Sequence, residues 1–253
     1  MRVILTGTGT STGVPVIGCA CAVCTSGDAR NRRLRPGAQV RLDGGVILLD
    51  TPTDLRQQSL RYGLPRVDAV LFTHPHADHV FGLDEVRVFN FRQRQVIPCF
   101  GSAETLAALR RIFAYAFERG QEGGGKPRVE LLEVAGPFEL LGREVVPVPV
   151  WHGEMSVLGY RIGRFAYVTD VNRIPAESLA LLAGVDVLVL GALRYRPHST
   201  HFSIAEAAEV AQAIGARRTL LTHIAHEVDH GNQELPLPPG VELAYDGLAF
   251  DVD

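Results

Sequence analysis

The chain is short of the features that mark membrane, exported or nucleic-acid-coating proteins. No stretch approaches the roughly 18 apolar residues that crossing a bilayer requires. The apolar opening Met1-Arg-Val-Ile-Leu-Thr6 gives way to Gly and Thr too early for a secretory leader. A cytoplasmic location without a membrane partner is therefore expected. Positive charge is not in excess either: 25 Lys and Arg against 28 Asp and Glu leave a net charge of −3. No broad surface for phosphate backbones follows, and nucleic acid is not the expected partner. Repeats and low-complexity tracts are missing. Cysteine is scarce, and three of the 4 crowd into Cys19-Ala-Cys21-Ala-Val-Cys24. Thiols this close cannot close a disulfide framework, and in a reducing compartment such clusters bind metal. Cys99, in Val96-Ile-Pro-Cys-Phe100, reads as a small hydrophobe in a strand. At 253 residues, 46% hydrophobic and 21% charged, the rest is ordinary globular composition for one large domain or two closely packed halves.

Against these absences stands one dense polar run, His74-Pro75-His76-Ala77-Asp78-His79. It follows the apolar stretch Asp68-Ala-Val-Leu-Phe-Thr73, which reads as a buried strand. Imidazole nitrogen and carboxylate oxygen are ligands suited to zinc, manganese and iron. A catalytic metal takes about three protein ligands and keeps one position open. Four ligand groups on one tight turn exceed that requirement and point to two metals.

Along the chain, residues 2–6 form a strand that runs into Gly7-Thr-Gly-Thr-Ser-Thr-Gly13. Gly7-x-Gly9 faintly echoes a dinucleotide loop, and Gly9-Thr-Ser11-Thr-Gly13 matches a nucleophile elbow. Both motifs need a helix next, and the chain gives Val14-Pro-Val-Ile-Gly-Cys instead. The glycines are better read as letting the backbone turn tightly beside a metal site. The arginines 30, 32, 33 and 35 read as a solvated face. A hairpin is expected over 39–50 with Gly44-Gly45 as its turn, and a helix over 54–61 capped near Thr53. A helix over 104–118 would place Leu106, Leu109, Ile112, Phe113 and Phe117 on one side. Gly123-Gly-Gly125 suggests a lid. Strands are expected near 129–134, 144–150, 157–162, 165–169, 185–190 and 218–222, with helices at 175–183 and 203–213 and a last hairpin arm over 241–251. Four of these strands end in His74, His152, Asp170 and His223. Sites collected at strand ends over a rigid sheet are a common way to bring distant residues together.

With these residues assembled, the sequence resembles the metallo-β-lactamase superfamily over nearly its whole length. The resemblance rests on the His-x-His-x-Asp-His turn followed in order by a lone His, a lone Asp and a final His. It implies an α/β fold, a four-layer αβ/βα sandwich of two mixed β-sheets flanked by helices, as a single hydrolase domain over 1–253. It also implies that His74, His76 and His152 hold one metal, that Asp78, His79 and His223 hold another, and that Asp170 bridges them. Within the superfamily, the Gly-Thr-Gly-Thr-Ser opening, the Gly-Cys-x-Cys-x-x-Cys insertion at about 14–37 and Pro197-His-Ser-Thr-His-Phe202 resemble the phosphoribosyl 1,2-cyclic phosphate phosphodiesterases of phosphonate metabolism. Those relatives carry a structural zinc on the insertion. A tetrahedral site needs a fourth ligand beside Cys19, Cys21 and Cys24; the candidates are His226, His230 and Cys99, and the resemblance selects His226.

The implied chemistry is hydrolysis of a small phosphodiester by a hydroxide held between two zinc or manganese ions roughly 3.5–4 Å apart. Asp78, Asp170 and His201 are the implied catalytic residues, His201 as general acid or stabiliser of the leaving oxygen, with His198 as its neighbour and rival. A homodimer is also implied. A transfer-RNA 3′-end endonuclease of the same superfamily would share the ligands, but such enzymes grip RNA with a basic arm. Here region 104–126 sets only Arg110, Arg111, Arg119 and Lys126 against Glu104, Glu118 and Glu122. A thioester or β-lactam hydrolase and a non-catalytic metal-binding accessory protein complete the alternatives.

Overall fold

The computed structural model describes residues 1–118, 125–234 and 236–253. Its strands run β1 (Arg2–Gly7), β2 (Gly37–Leu42), β3 (Gly45–Leu49), β4 (Ala69–Leu71), β5 (Ile97–Gly101) and β6 (Val129–Glu133), then β7 (Phe138–Leu140), β8 (Arg143–His152), β9 (Met155–Ile162), β10 (Phe165–Val168), β11 (Val187–Gly191), β12 (Arg218–Thr222), β13 (Val241–Leu243) and β14 (Ala249–Asp251). Among the described residues they make two sheets, ordered β14-β1-β2-β3-β4-β5-β6 and β13-β12-β11-β10-β9-β8-β7. Each sheet is mixed. From β3 to β6 and from β10 to β13 neighbours pair in parallel, and the remaining pairs are antiparallel. The central parallel strands Gly-Val-Ile-Leu-Leu of β3 and Val-Leu-Val-Leu-Gly of β11 are buried throughout, the pattern of strands covered on both faces.

The two-residue strand period sorts these side chains into layers. Ile47, Leu49, Ala69 and Leu71 of the first sheet meet Tyr160, Phe165, Tyr167, Val187 and Val189 of the second in one core. The alternate residues Val46, Leu48, Val70 and Phe72 face outward and pack on Leu55, Val80, Leu83 and Leu109. Ala166, Val168, Leu188 and Leu190 do the same on the other side, against Leu182, Ile204 and Ala207. The covering helices are α1 (Leu55–Arg61), α2 (Ala77–Val80), α3 (Arg87–Gln93), α4 (Ala103–Ile112), α5 (Ala114–Phe117), α6 (Ala176–Leu181) and α7 (Ile204–Ile214). The result is the four-layer αβ/βα sandwich, with the carboxyl ends of β3, β4, β8, β10 and β12 gathered at one edge. Among the described residues no helix is long and apolar enough to cross a membrane.

Several local expectations need correction. The hairpin turn is Asp43-Gly44, because Gly45 already pairs with Leu42. A Cβ on Gly45 would lie 2.3 Å from the Asp68 carboxylate, so only glycine fits there. The helix expected over 104–118 breaks at Phe113 (φ −106°, ψ 38°), which turns that ring inward and leaves Ile112 38% exposed. Helix α1 starts at Leu55 after Asp54, with no side-chain cap bond from that residue. The single arm expected over 241–251 is two strands on opposite sheets, β13 beside β12 and β14 beside β1. Between them the Asp246 carboxylate accepts from the Thr8 and Leu34 backbone N–H groups at 2.8 and 2.7 Å. Helices α2 and α3 and strand β7 are too short to announce themselves by period. Of the expected lid, Gly123 and Gly124 lie outside the described residues.

The glycine-rich opening has no helix after it, and Ser11 lies exposed in a turn. Its glycines serve close packing: a Cβ on Gly7 would sit 1.9 Å from the Arg35 carbonyl oxygen. Gly7→Ala must push β1 off β2 at that point. The expected loss of stability is at least ~2 kcal/mol by the usual cost of overpacking, read from the urea midpoint at unchanged m-value.

Candidate metal centres

Residues from four other places in the chain converge on Asp170. Its carboxylate oxygens lie 3.3 Å from Nε2 of His79, 3.3 Å from Nε2 of His223, 3.8 Å from Nε2 of His74 and 4.0 Å from Nε2 of His152 and Nδ1 of His201. Ligand-type atoms form two sets, each within 4.8 Å: His74, His76, His152 and Asp170, and Asp78, His79 and His223. His201 joins Asp170 and His223 in a third such set. The structure therefore brings together every residue expected at the dinuclear site, together with His201. The strand ends deliver them through unusual backbone. Asp50 (φ 63°), Asp170 (φ 48°) and His223 (φ 62°) all adopt the left-handed region, which non-glycine residues hold only where surrounding structure over-determines it.

The rings are held from behind. Nδ1 of His79 lies 2.7 Å from Asp50 Oδ2, and Asp50 also accepts from the Thr73 backbone N–H and hydroxyl at 2.8 and 2.9 Å. That commitment leaves the Thr73 oxygen to accept from Nδ1 of His74 at 3.0 Å. Nδ1 of His152 donates to the Thr200 carbonyl at 2.7 Å, since a carbonyl can only accept. In each case Nδ1 is turned to that partner and Nε2 faces the centre, the way a partner behind the ring orients a metal-binding imidazole. Asp50, Thr73 and Thr200 were not singled out from sequence. Asp50 could have been, because it closes Val46-Ile-Leu-Leu-Asp50 as His74 closes its own strand.

Electrostatics agree with a cation. Burial works against the charge on Asp78 and Asp170, yet His223 and His79 hold both carboxyls below the usual carboxylate range. Burial, with His79 adding to it, keeps His74 well below its ordinary value and so neutral. Among the described residues the buried Nε2 atoms of His79 and His223 have no hydrogen-bond partner. Unpartnered buried nitrogens aimed at ionised carboxylates are a donor set that divalent metal ions fit. His201 is 9% exposed and stacks on His223 with ring centroids 4.7 Å apart. Burial and His223 lower it to about 3, which makes it a neutral imidazole at pH 7. Its neighbour His198 accepts the Thr200 backbone N–H on Nδ1 at 3.3 Å and therefore carries its proton on Nε2.

The cysteine cluster assembles separately. Nδ1 of His226 stands 3.3, 3.5 and 3.5 Å from the sulfurs of Cys19, Cys21 and Cys24. A tetrahedron with ordinary Zn–S and Zn–N bonds has N–S edges of roughly 3.6 Å. The Cys24 N–H and the neighbouring groups lower Cys21 to about 6, whereas burial raises Cys24 to about 11; a cation would relieve that imbalance. Cys99 is instead buried in β5, its thiol pushed up by burial. His230 lies edge-on to Tyr245 at 5.7 Å. The arginines nearby are not one solvated face. Arg30 and Arg32 are exposed, Arg35 pairs with Asp54 at 3.0 Å, and Arg33 is buried at 1% exposure.

A family model for the beta-lactamase superfamily domain matches residues 46–224. The chain belongs to the metallo-β-lactamase superfamily. A solved structure of a diphosphatase from the PhnP family superposes with a TM-score of 0.92 at 41% identity, covering 100% of this chain and 98% of that one. The octanoyltransferase of Porphyromonas gingivalis is 37% identical over 258 residues, which take in 100% of this chain and 52% of that protein. The chain thus spans about half the length of that relative. Coenzyme PQQ synthesis protein B of Methylobacterium nodulans is 30% identical over 75% of this chain and 72% of its own length. The chain is a PhnP-like, metal-dependent hydrolase. Asp50→Asn removes the charged acceptor behind His79, so metal affinity should fall roughly 10- to 100-fold with the fold intact, as read by metal titration alongside circular dichroism.

Proposed function

We propose that the chain hydrolyses a small phosphodiester, a cyclic sugar phosphate such as phosphoribosyl 1,2-cyclic phosphate, at a dinuclear centre. The supporting observation is the division of ligand groups into two sets around one carboxylate, that of Asp170, whose Oδ1 faces His79 and whose Oδ2 faces His74, His152 and His223. His74, His76 and His152 hold one ion, Asp78, His79 and His223 hold the second, and Asp170 serves both. Bound zinc or manganese would supply Lewis acidity toward phosphoryl oxygens and a water acidified to near pKa 7. The His and Asp set accepts either metal.

The chain's own groups do the rest. The Nδ1–H bonds of His74, His79 and His152 fix ring directions before substrate arrives, so little reorganisation accompanies the reaction. A sugar oxygen is a poor leaving anion, and His201 beside Asp170 is the group placed to meet it. Being neutral, His201 acts through its N–H as a stabiliser of the leaving oxygen, and as a full acid only once the negative phosphate lies against it. Cys19, Cys21, Cys24 and His226 hold a structural zinc that fastens the 14–37 insertion to the loop after His223. Such a closed four-ligand site has no position for substrate.

A second reading, favoured by the 41% identical diphosphatase, is hydrolysis of a diphosphate. The two separate on one residue. A phosphate leaving group needs no proton, so loss of His201 matters less for a diphosphate than for a sugar ester. An RNA endonuclease remains the weaker fit, because the sequence offers no lysine- or arginine-rich arm.

A metal-analysed hydrolysis panel of cyclic phosphates, a linear diester, a diphosphate, a precursor tRNA and a thioester tests the proposal. Turnover of the cyclic phosphate well above all others is expected, and turnover confined to RNA or thioester would overturn it. On the cyclic phosphate, His201→Ala should lower kcat about 100-fold or more, the usual yield of proton transfer. Asp170→Asn should cost more, since it disturbs both ions. Equal residual rates with metal in excess would contradict that ranking.

A further inference from the structure

The candidate ligand histidines are not all fastened alike. His74, His79 and His152 each have an Nδ1 partner behind the ring. His223 presents Nε2 to Asp78 and Asp170 at 3.5 and 3.3 Å, but among the described residues nothing partners its buried Nδ1. Its ring is sandwiched between those of His79 and His201, at 6.0 and 4.7 Å between centroids. Stacking limits tilt but does not stop the ring from sliding. The direction of His223 must therefore come from its backbone, which is held in the left-handed region.

The loop that follows His223 is bonded by a buried cation. Arg33 is 1% exposed, and among the described residues it has no carboxylate within ion-pair distance. Its guanidinium donates to the carbonyls of Ala225 and Val228 at 3.2 and 2.8 Å and to Asn31 Oδ1 at 2.9 Å. Asn31 in turn accepts the His230 backbone N–H at 2.9 Å and donates to Asp229 Oδ1 at 2.9 Å. Opposite, Ile224 N–H bonds the Thr8 carbonyl at 2.8 Å and Ala225 N–H the Leu193 carbonyl at 2.9 Å. A charge buried without a counter-ion is costly, and a fold with no use for it would place an apolar side chain there. Two of the three guanidinium bonds of Arg33 go to the loop that starts at His223 and contains His226, and the third goes to Asn31, which bonds the same loop.

We propose that Arg33 is a positioning residue for the second metal site: it sets His223 through the Ala225 and Val228 carbonyls, replacing the missing Nδ1 partner. The inference rests on the reading of His223 as a ligand. Because the same loop carries His226, the brace also ties the cysteine cluster to the site.

The test compares the full-length wild type, Arg33→Met, Arg33→Lys and His223→Ala after chelation, each titrated with Mn2+. Manganese favours oxygen and nitrogen over thiolate, so the titration reports the His and Asp site. His223→Ala should weaken binding; if it does not, the ligand reading fails and the inference falls with it. With His223→Ala weakened and the fold intact, Arg33→Met should raise the Mn2+ dissociation constant roughly 10-fold or more, the scale of outer-shell losses, and Arg33→Lys should recover part of it. A dissociation constant within about twofold of wild type for Arg33→Met, alongside a weakened His223→Ala, overturns the inference alone. If Arg33→Met does not fold, Arg33→Lys decides by the same criterion, with weakened binding expected. Failure of both to fold also overturns it, since Arg33 would then belong to the fold rather than to the site.

Discussion

Asp170 is a buried carboxylate with five imidazoles inside 4.0 Å. Burial penalises its charge, and it stays ionised because His223 and His79 outweigh that penalty, while His74 and His201 are held neutral. Much else in the molecule serves to keep this arrangement in place. Parallel strands end together, their last residues accept left-handed backbone, and a shell of hydroxyl, carbonyl and carboxylate groups fixes the rings.

Two kinds of fastening coexist around it. On the first sheet's side, Asp50 and Thr73 act on side chains, so ring direction is set by hydrogen bonds one atom removed from the ligand atom. His223, on the second sheet, is set through main chain. Side-chain fastening fixes a tautomer as well as a direction, whereas main-chain fastening fixes only direction.

How much of this could be read from sequence depended on chain distance. The buried strands were legible because continuous apolar runs such as Val187-Leu-Val-Leu190 have few other uses, and α7 because Ser203 and Glu206 form a capping box. The cluster of candidate ligand groups was legible because His and Asp at strand ends are chemically conspicuous. The break at Phe113 was not, since a continuous apolar period hides where a ring must turn inward. The split of 241–251 between two sheets was hidden too, because a strand carries no mark of its partner. Arg33 was misread for the related reason that a cation's partners here are backbone carbonyls, which every sequence has and none advertises.

The two sheets contribute unequally placed halves of the site: Asp50, His74, His76, Asp78 and His79 follow strands of the first, and His152, Asp170 and His223 end strands of the second. An ion held between them would be a cross-link between the two halves of the sandwich. Folding and cation binding are then linked equilibria, and free ion at 100 times its dissociation constant adds about 2.7 kcal/mol to the folded state. The resistance of this protein to heat would be a property of its medium as well as of its chain, rising and falling with the divalent cation around it.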